Sequence, residues 1–166
     1  MRDTAMPAAC SAPTAAAYAA SLQPAADATA SLVHDLLLDP AQAPRIALAA
    51  ADTCPPEGVQ AATALFQAAG FAVSRLDDLP GLAVMRTVAM LANEAADAVN
   101  QNVANARDVD SAMRNGMNYP VGPLAWVDAI GVDHVRTVLA NLAAYYGDPR
   151  YRTSPLVMRV ERLTDE

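Results

Sequence analysis

The sequence changes character at Asp77–Gly81, and this break constrains the fold more than any other feature. Before it, the apolar segments Arg45–Ala51 and Phe71–Leu76 flank an amphipathic stretch that begins at Pro56. A strand, a helix and a strand joined by short links form a βαβ unit, in which the two strands are parallel. After the break, every segment has helical periodicity. We therefore expect a small α/β segment followed by an all-helical one.

The predicted α/β segment covers residues 30–80 and is too short for a complete doubly wound sheet. Its helix carries an apolar stripe formed by Val59, Ala62, Leu65 and Phe66. Gly70 is expected to end this helix, because Gly adopts the left-handed conformation that follows many helices. The earlier apolar run Ser31–Asp39 is too short for periodicity to separate strand from helix. Residues 1–29 are rich in Ala, Pro and Ser and are expected to be partly disordered.

The predicted helical segment covers residues 81–166 and begins with a long helix over Leu82–Val103. The apolar stripe expected to face inward is Val84, Val88, Leu91, Ala95, Ala98, Val99 and Val103. Asn93, Asp97 and Asn100 lie one turn apart on its other side and predict either a solvated face or a polar cleft wall. Met85 and Met90 are interpreted as core residues rather than ligand contacts. Asn105 with Asp108 resembles a capping box that opens a second helix.

The stretch NGMNYPVGPLAWVDAIG, Asn115–Gly131, concentrates glycines, prolines and the single Trp of the chain. We assign structural roles to its residues and call the group the structural corner: Gly116, Pro120, Gly122, Pro123 and Trp126. Gly116 should end one helix, Pro123 should occupy the first position of the next, and Gly131 should end that one. Trp126 should anchor the packing. Tyr119 either faces a ligand cleft or covers the core.

Charge excludes several classes of partner. The net charge is −7 and all 11 basic residues are Arg, scattered without a basic stripe. This argues against nucleic acid and against an anionic membrane surface, both of which need basic clusters. No apolar run reaches the length of a spanning helix, and the N-terminus lacks a secretory h-region, so we expect a cytoplasmic protein. Cys10, Cys54, His34 and His134 are isolated, so no metal site is expected.

Three motifs together resemble the C-terminal domain of the 3-hydroxyacyl-CoA dehydrogenase family. They are LPGLAVMRTVAMLANEAADAV, ARDVDSAMRNGMNYPVGPLAWVDAIGVDHV and YYGDPRYRTSPLVMRV, and they cover about residues 79–160. The preceding strand–helix–strand resembles the end of that family's nucleotide-binding domain. The whole is most similar to the degenerate second copy at the tail of long bacterial members of the phenylacetate-degradation type. The resemblance implies a mainly α fold, with the family's helical domain preceded by a partial Rossmann remnant.

The resemblance implies NAD-dependent chemistry on 3-hydroxyacyl-CoA, but three of its requirements are missing. No two of the seven glycines have the G-x-G spacing of a pyrophosphate loop. The family uses a His–Glu pair, and neither His34 nor His134 lies in a matching motif. The family also places a substrate-contacting Asn near the start of the long helix, where this chain has Met85, a side chain with no hydrogen-bond donor. Whether the chain is itself an enzyme stays open.

We therefore expect a module that is not catalytic alone and that serves dimerisation or forms one wall of an acyl-CoA cleft in β-oxidation-type metabolism. The alternatives are a dehydrogenase subunit completed by a separate Rossmann chain, and a stand-alone acyl-CoA-binding module. The expected partners are a second copy or a Rossmann domain, with acyl-CoA as ligand. No cofactor is expected for this chain alone; NAD is implied only for a complete enzyme. The candidate substrate or partner contacts are Met85, Arg86, Asn93 and Tyr119, and no catalytic residue is assigned.

Overall fold

The computed structural model describes residues 32–37 and 42–164, and the chain divides into two compact units. The first, here called the sheet unit, ends at Met85, and the second, here called the helical unit, begins at Arg86. The Ala-rich segment predicted for residues 1–29 lies outside the described residues.

Within its described residues, the sheet unit contains three strands in the order β1–β2–β3: Leu32–His34, Arg45–Ala50 and Ala72–Leu76. β1 runs antiparallel to β2, and β2 runs parallel to β3. The parallel βαβ unit expected from the sequence is therefore confirmed, and the ambiguous apolar run contains a short strand. Ile46 and Leu48 are almost fully buried on β2.

Helix α1, Pro56–Ala68, connects β2 to β3. Gly70 follows it with a φ of 96°, and the Phe71 N–H donates to the Phe66 carbonyl, which confirms the predicted stop. The predicted inward position of the apolar stripe of α1 is only partly confirmed. Val59 is buried, but Leu65 is 67% exposed, so its predicted inward position is wrong. A three-stranded sheet offers little area for a thirteen-residue helix to cover.

The helical unit contains most of α2 and four further helices, α3 to α6, with one turn of 3-10 helix at Pro149–Tyr151. Their bounds are α2 Val84–Asn100, α3 Ala106–Met117, α4 Pro123–Ile130, α5 Val132–Tyr146 and α6 Pro155–Arg159. The residues with no measurable exposure are mainly branched aliphatics on α4, α5 and α6: Leu124, Val127, Val135, Val138, Leu139, Leu142, Leu156 and Val157. The mainly α fold expected from the sequence is confirmed.

Polar side chains hold the last residues of the helical unit against its helices. Arg136 donates to the carbonyl oxygens of Val157 in α6 and Val160 just beyond it. The Asp128 carboxylate accepts the Leu163 and Thr164 N–H groups. Since Leu163 has no exposed surface, these contacts fix a buried anchor near the end of the described chain.

Two helix boundaries differ from the sequence prediction. α2 ends at Asn100, so Val103 lies beyond it and is 73% exposed rather than inward. α3 continues past Gly116 to Met117, and Asn118 ends it with a φ of 56°. Asn tolerates this left-handed conformation better than most residues, which explains why Gly116 is not needed as the stop. The cap at the other end of α3 is confirmed, because the Asn105 side chain accepts from the Asp108 N–H.

Candidate functional site

The start of helix α2 is capped by a buried carboxylate from the residue that follows β1. Asp35 is 2% exposed. Its Oδ2 accepts the Ala83 and Val84 N–H groups at 2.8 and 2.6 Å, and its Oδ1 accepts the Met85 N–H at 3.0 Å. These N–H groups lie in the first turn of a helix, where the helix dipole favours a negative charge. The Asp35 carboxylate therefore takes up the N–H groups to which an anion or a carbonyl group of a ligand would otherwise bind.

The turn that leads into α2 is also packed against the interior of the sheet unit. Gly81 and Leu82 have φ values of 71° and 44°. Leu82 is nevertheless buried and packs in a cluster with Val33 and Ala49. Met85, the candidate substrate contact, has no exposed surface. This agrees with its interpretation as a core residue, and it leaves no atom of the side chain facing an open cleft.

Arg86 contacts the side chain of Tyr146. Its Nη1 donates to the Tyr146 hydroxyl at 3.0 Å, and its guanidinium carbon lies 6.0 Å from the Tyr146 ring centre. The Tyr146 ring stacks on Tyr151 with centres 5.2 Å apart. A cation over an aromatic face is attracted by the ring quadrupole. Arg86 is thus held by this aromatic pair and keeps further donors for a ligand.

An open groove of about 360 Å³ lies beside Arg86 and Tyr151. Its walls combine apolar and charged side chains: Arg86, Thr87, Met90, Leu91, Glu94, Arg150 and Tyr151. Arg150 forms an ion pair of 2.8 Å with Asp148. The groove therefore offers an apolar floor with one guanidinium at its edge that the aromatic ring holds in place.

Asn93 does not form a polar surface, and the prediction of a solvated face is wrong for this residue. It is 2% exposed, its Nδ2 donates to the Arg152 carbonyl at 2.9 Å, and its Oδ1 accepts the Ser154 N–H at 2.7 Å. Asp97 is only partly exposed and pairs with the Arg152 guanidinium at 2.6 Å. Both residues hold the loop before α6, and Asn93 uses both amide atoms within the unit.

The structural corner is organised by Asp110 of α3. Its carboxylate accepts the Leu124 and Ala125 N–H groups at 2.9 and 3.0 Å and so caps α4. A Cβ on Gly122 would lie 2.1 Å from the Asp110 Cγ, so only Gly fits there. Pro123 occupies the first position of α4, as predicted.

The aromatic residues of the corner pack on each other. Tyr119 is half-buried, Trp126 is 9% exposed, and their ring centres are 5.5 Å apart. Pro120 and Gly116 are exposed beside them. Tyr119 thus covers part of the corner.

The helix-capping roles of Asp35 and Asp110 were missed from the sequence. A signal existed in both cases. Asp110 lies within the motif that begins ARDVDSAMR, which the family resemblance already singles out. Asp35 is a charged residue within an otherwise apolar run, and a buried charge needs partners.

His34 is the last residue of β1. The residue paired with His34 across the β1–β2 ladder is Leu48, and the His34 Nδ1 lies 2.9 Å from the Asp35 backbone carbonyl oxygen. Within residues 32–37 and 42–164, no group of His, Cys, Asp and Glu has the arrangement of a metal site, and no helix is long and apolar enough to cross a membrane.

Two family models match adjacent parts of the chain. The model described as 3-hydroxyacyl-CoA dehydrogenase, C-terminal domain, matches residues 81–164, just over half of the chain. The model described as 3-hydroxybutyryl-CoA dehydrogenase reduced Rossmann-fold domain matches residues 12–80.

Individual relatives agree with these matches. The chain is 42% identical over 112 residues to the 3-hydroxyadipyl-CoA dehydrogenase of Escherichia coli K12, covering 68% of this chain and 24% of the relative. It is 35% identical over 96 residues to a probable 3-hydroxybutyryl-CoA dehydrogenase of Bacillus subtilis, covering 58% of this chain and 33% of the relative. The chain thus spans about a quarter to a third of these curated relatives.

Solved structures share the fold. The 3-hydroxybutyryl-CoA dehydrogenase of Escherichia coli K12 superimposes with a TM-score of 0.78 at 37% identity, over 89% of this chain and 29% of that one. The (S)-3-hydroxybutyryl-CoA dehydrogenase of Ralstonia eutropha gives a TM-score of 0.74 at 24% identity, over 90% of this chain and 52% of that one, and supports the fold alone. The resemblance noted from the three motifs is confirmed, and the chain belongs to the 3-hydroxyacyl-CoA dehydrogenase C-terminal domain family.

Proposed function

We propose that this chain is a non-catalytic module of the family whose helical unit associates with a second copy of itself. The observation that carries the absence of catalysis is the closed start of α2. The Asp35 carboxylate occupies the first-turn N–H groups, and Met85 is fully buried at the position where the resemblance implies a substrate-contacting Asn. NAD would then be bound by a Rossmann domain supplied by another protein or another part of a longer chain.

The exposed apolar side chains of the helical unit support association. Six large hydrophobic residues there are at least 37% exposed: Val103, Met117, Val121, Tyr145, Tyr146 and Met158. Exposed apolar area of this kind is a feature of protein–protein interfaces. Burying it against an identical surface fits the two-fold symmetry that is most common in homodimers.

The test of catalysis is an NADH-absorbance assay with acetoacetyl-CoA. The chain alone should give no turnover above the blank, and Met85→Asn should not restore it, because Asp35 still holds the helix start. Turnover by the unmodified chain would contradict the proposal.

The test of association is light scattering after size exclusion at tens of micromolar protein. The expected mass is twice the 17.3 kDa of the chain. Met117→Asp should shift the protein towards the monomer, since a charge cannot be buried in an apolar interface without a large cost. Leu65→Asp is the matched control, because Leu65 is similarly exposed but lies on α1 of the sheet unit. A monomer at all concentrations would rule out the dimer.

A second candidate function, acyl-CoA binding without chemistry, is favoured by the groove beside Arg86. Met90, Leu91 and Tyr151 supply apolar walls for an acyl chain, while the Arg86 guanidinium suits a phosphate or a carboxylate. Calorimetry with acetoacetyl-CoA should show saturable heat and a negative heat-capacity change. Arg86→Gln should weaken the affinity about tenfold, and Arg75→Gln on β3 should not. Absence of heat at millimolar ligand would remove this candidate.

A further inference from the structure

Two arginines on α3 have no ion-pair partner among the described residues. The four ion pairs within residues 32–37 and 42–164 use Arg136, Arg150, Arg152 and Arg162. Arg107 and Arg114 take part in none of them, although the chain carries a net charge of −7. Arg45, Arg75, Arg86 and Arg159 form none of these four pairs either. Arg107 and Arg114 differ from them because they line one groove together.

The helix brings these two arginines to one face. Arg107, Ser111 and Arg114 are spaced by four and three residues, which places them one above the other on an α-helix. All three are exposed. Together with Asp110 and Thr164 they line a groove of about 430 Å³.

The negative charge in this groove is engaged elsewhere. Both carboxylate oxygens of Asp110 accept backbone N–H groups at the start of α4, namely those of Leu124 and Ala125. The positive end of that helix dipole offsets part of the Asp110 charge. The Thr164 hydroxyl donates to the Asp128 carboxylate. The two guanidinium groups and the Ser111 hydroxyl are then the groups in the groove with donors to offer a ligand.

We propose that this groove binds a phosphate-bearing small molecule with at least two negative charges. Each guanidinium presents a planar pair of donors that matches two phosphate oxygens. The Ser111 hydroxyl lies between the two arginines in the helical spacing and can donate to the same anion. A groove of this volume holds more than a single hydrated phosphate group, so a diphosphate or a phosphate ester fits it better than the free ion.

Calorimetric titration of the full chain with inorganic pyrophosphate, and separately with inorganic phosphate, tests this. Pyrophosphate should bind saturably and more tightly than phosphate, and added salt should weaken the binding. Arg107→Gln and Arg114→Gln should each reduce the affinity about tenfold or more, as loss of a charge-assisted hydrogen bond predicts. Ser111→Asp should abolish binding, because the new carboxylate would pair with both arginines.

Arg75→Gln is the matched control, since it removes the same charge from an exposed residue of the sheet unit. Far-ultraviolet circular dichroism checks that every variant keeps its helices. The proposal is overturned if pyrophosphate does not saturate the chain at millimolar concentration, or if Arg75→Gln weakens binding as much as Arg107→Gln. Binding that appears only in the double variant Asp165→Asn/Glu166→Gln would also overturn it, because these acids next to Thr164 would then be the natural partners of the arginines.

Discussion

The sheet unit and the helical unit differ in how much of their helices they bury. In the sheet unit, α1 is thirteen residues long and buries only Val59. In the helical unit, α5 is fifteen residues long and buries five: Val132, Val135, Val138, Leu139 and Leu142. The two helices have similar lengths and amphipathic sequences, so the difference comes from what each helix can cover. The three described strands offer α1 little apolar surface to pack against, whereas several helices enclose α5.

Both units use an aspartate to cap a helix from a distant segment, and here the sheet unit has the stronger contact. Asp35, just after β1, is nearly fully buried and accepts four N–H groups, one from Leu36 and three from the start of α2. Asp110 of α3 is half-buried and accepts two at the start of α4. The unit with the smaller core thus depends more on one polar contact.

Replacing one leucine in each unit should give the largest difference in the free energy of unfolding. Leu139→Ala on α5 should lower the free energy of unfolding by about 2–5 kcal/mol, since it removes a side chain with no exposed surface and leaves a cavity. Leu65→Ala on α1 should change it by less than about 0.5 kcal/mol, because Leu65 is mostly exposed. Urea titration followed by circular dichroism measures both. Similar losses would show that α1 has a partner surface in solution.

The two capping aspartates give the second contrast. Asp35→Ala should cost about 2–4 kcal/mol, because it leaves buried N–H groups without an acceptor. Asp110→Ala should cost about 1–2 kcal/mol, the usual value for loss of a helix cap. The same urea titrations compare them, with Asp108→Ala as an exposed control on α3. Equal effects would contradict the stronger dependence of the sheet unit on its polar contact.

The secondary structure was largely predictable because its signals are local. Gly70, Asn105 and Pro123 fix helix ends through their own backbone preferences, and all three were recognised. Burial is set by distant segments, so the sequence did not reveal it. Leu65 and Val103 fit an apolar stripe but are mostly exposed. Asn93 fits a polar face but is buried, where it accepts and donates hydrogen bonds.

The candidate site was predictable only as far as its family motifs extend. Met85 was recognised as a departure from the pattern because one side chain type replaces another at a known position. The closure of the same helix start by Asp35 depends on contacts between residues 48 to 50 positions apart. Local pattern does not report such contacts, although the presence of a charge in an apolar run is a reason to look for them.

Two glycines of the structural corner give a smaller contrast within the helical unit. Gly122→Ala should cost about 1–3 kcal/mol, because the new Cβ overlaps the Asp110 carboxyl group and must displace the cap of α4. Gly116→Ala should be neutral or should stabilise by up to about 1 kcal/mol, because Gly116 lies in helix with open space around it. Thermal or urea unfolding of the two variants checks this. A destabilised Gly116→Ala would mean that another molecule approaches that backbone.

The smallest expected effect is a pH dependence of the free energy of unfolding, caused by one histidine of the helical unit. Burial lowers the pKa of His134 on α5 below its ordinary value of 6.5. A histidine with a lowered pKa in the folded state binds fewer protons there than in the unfolded chain between the two pKa values. Its stabilising contribution is therefore complete above about pH 6.5 and is lost as the pH falls below that value. Urea midpoints at pH 7.5 and 5.5 should decrease more in the unmodified chain than in His134→Gln. An equal decrease would assign the pH dependence to other groups, with the acidic side chains of both units as the next to test.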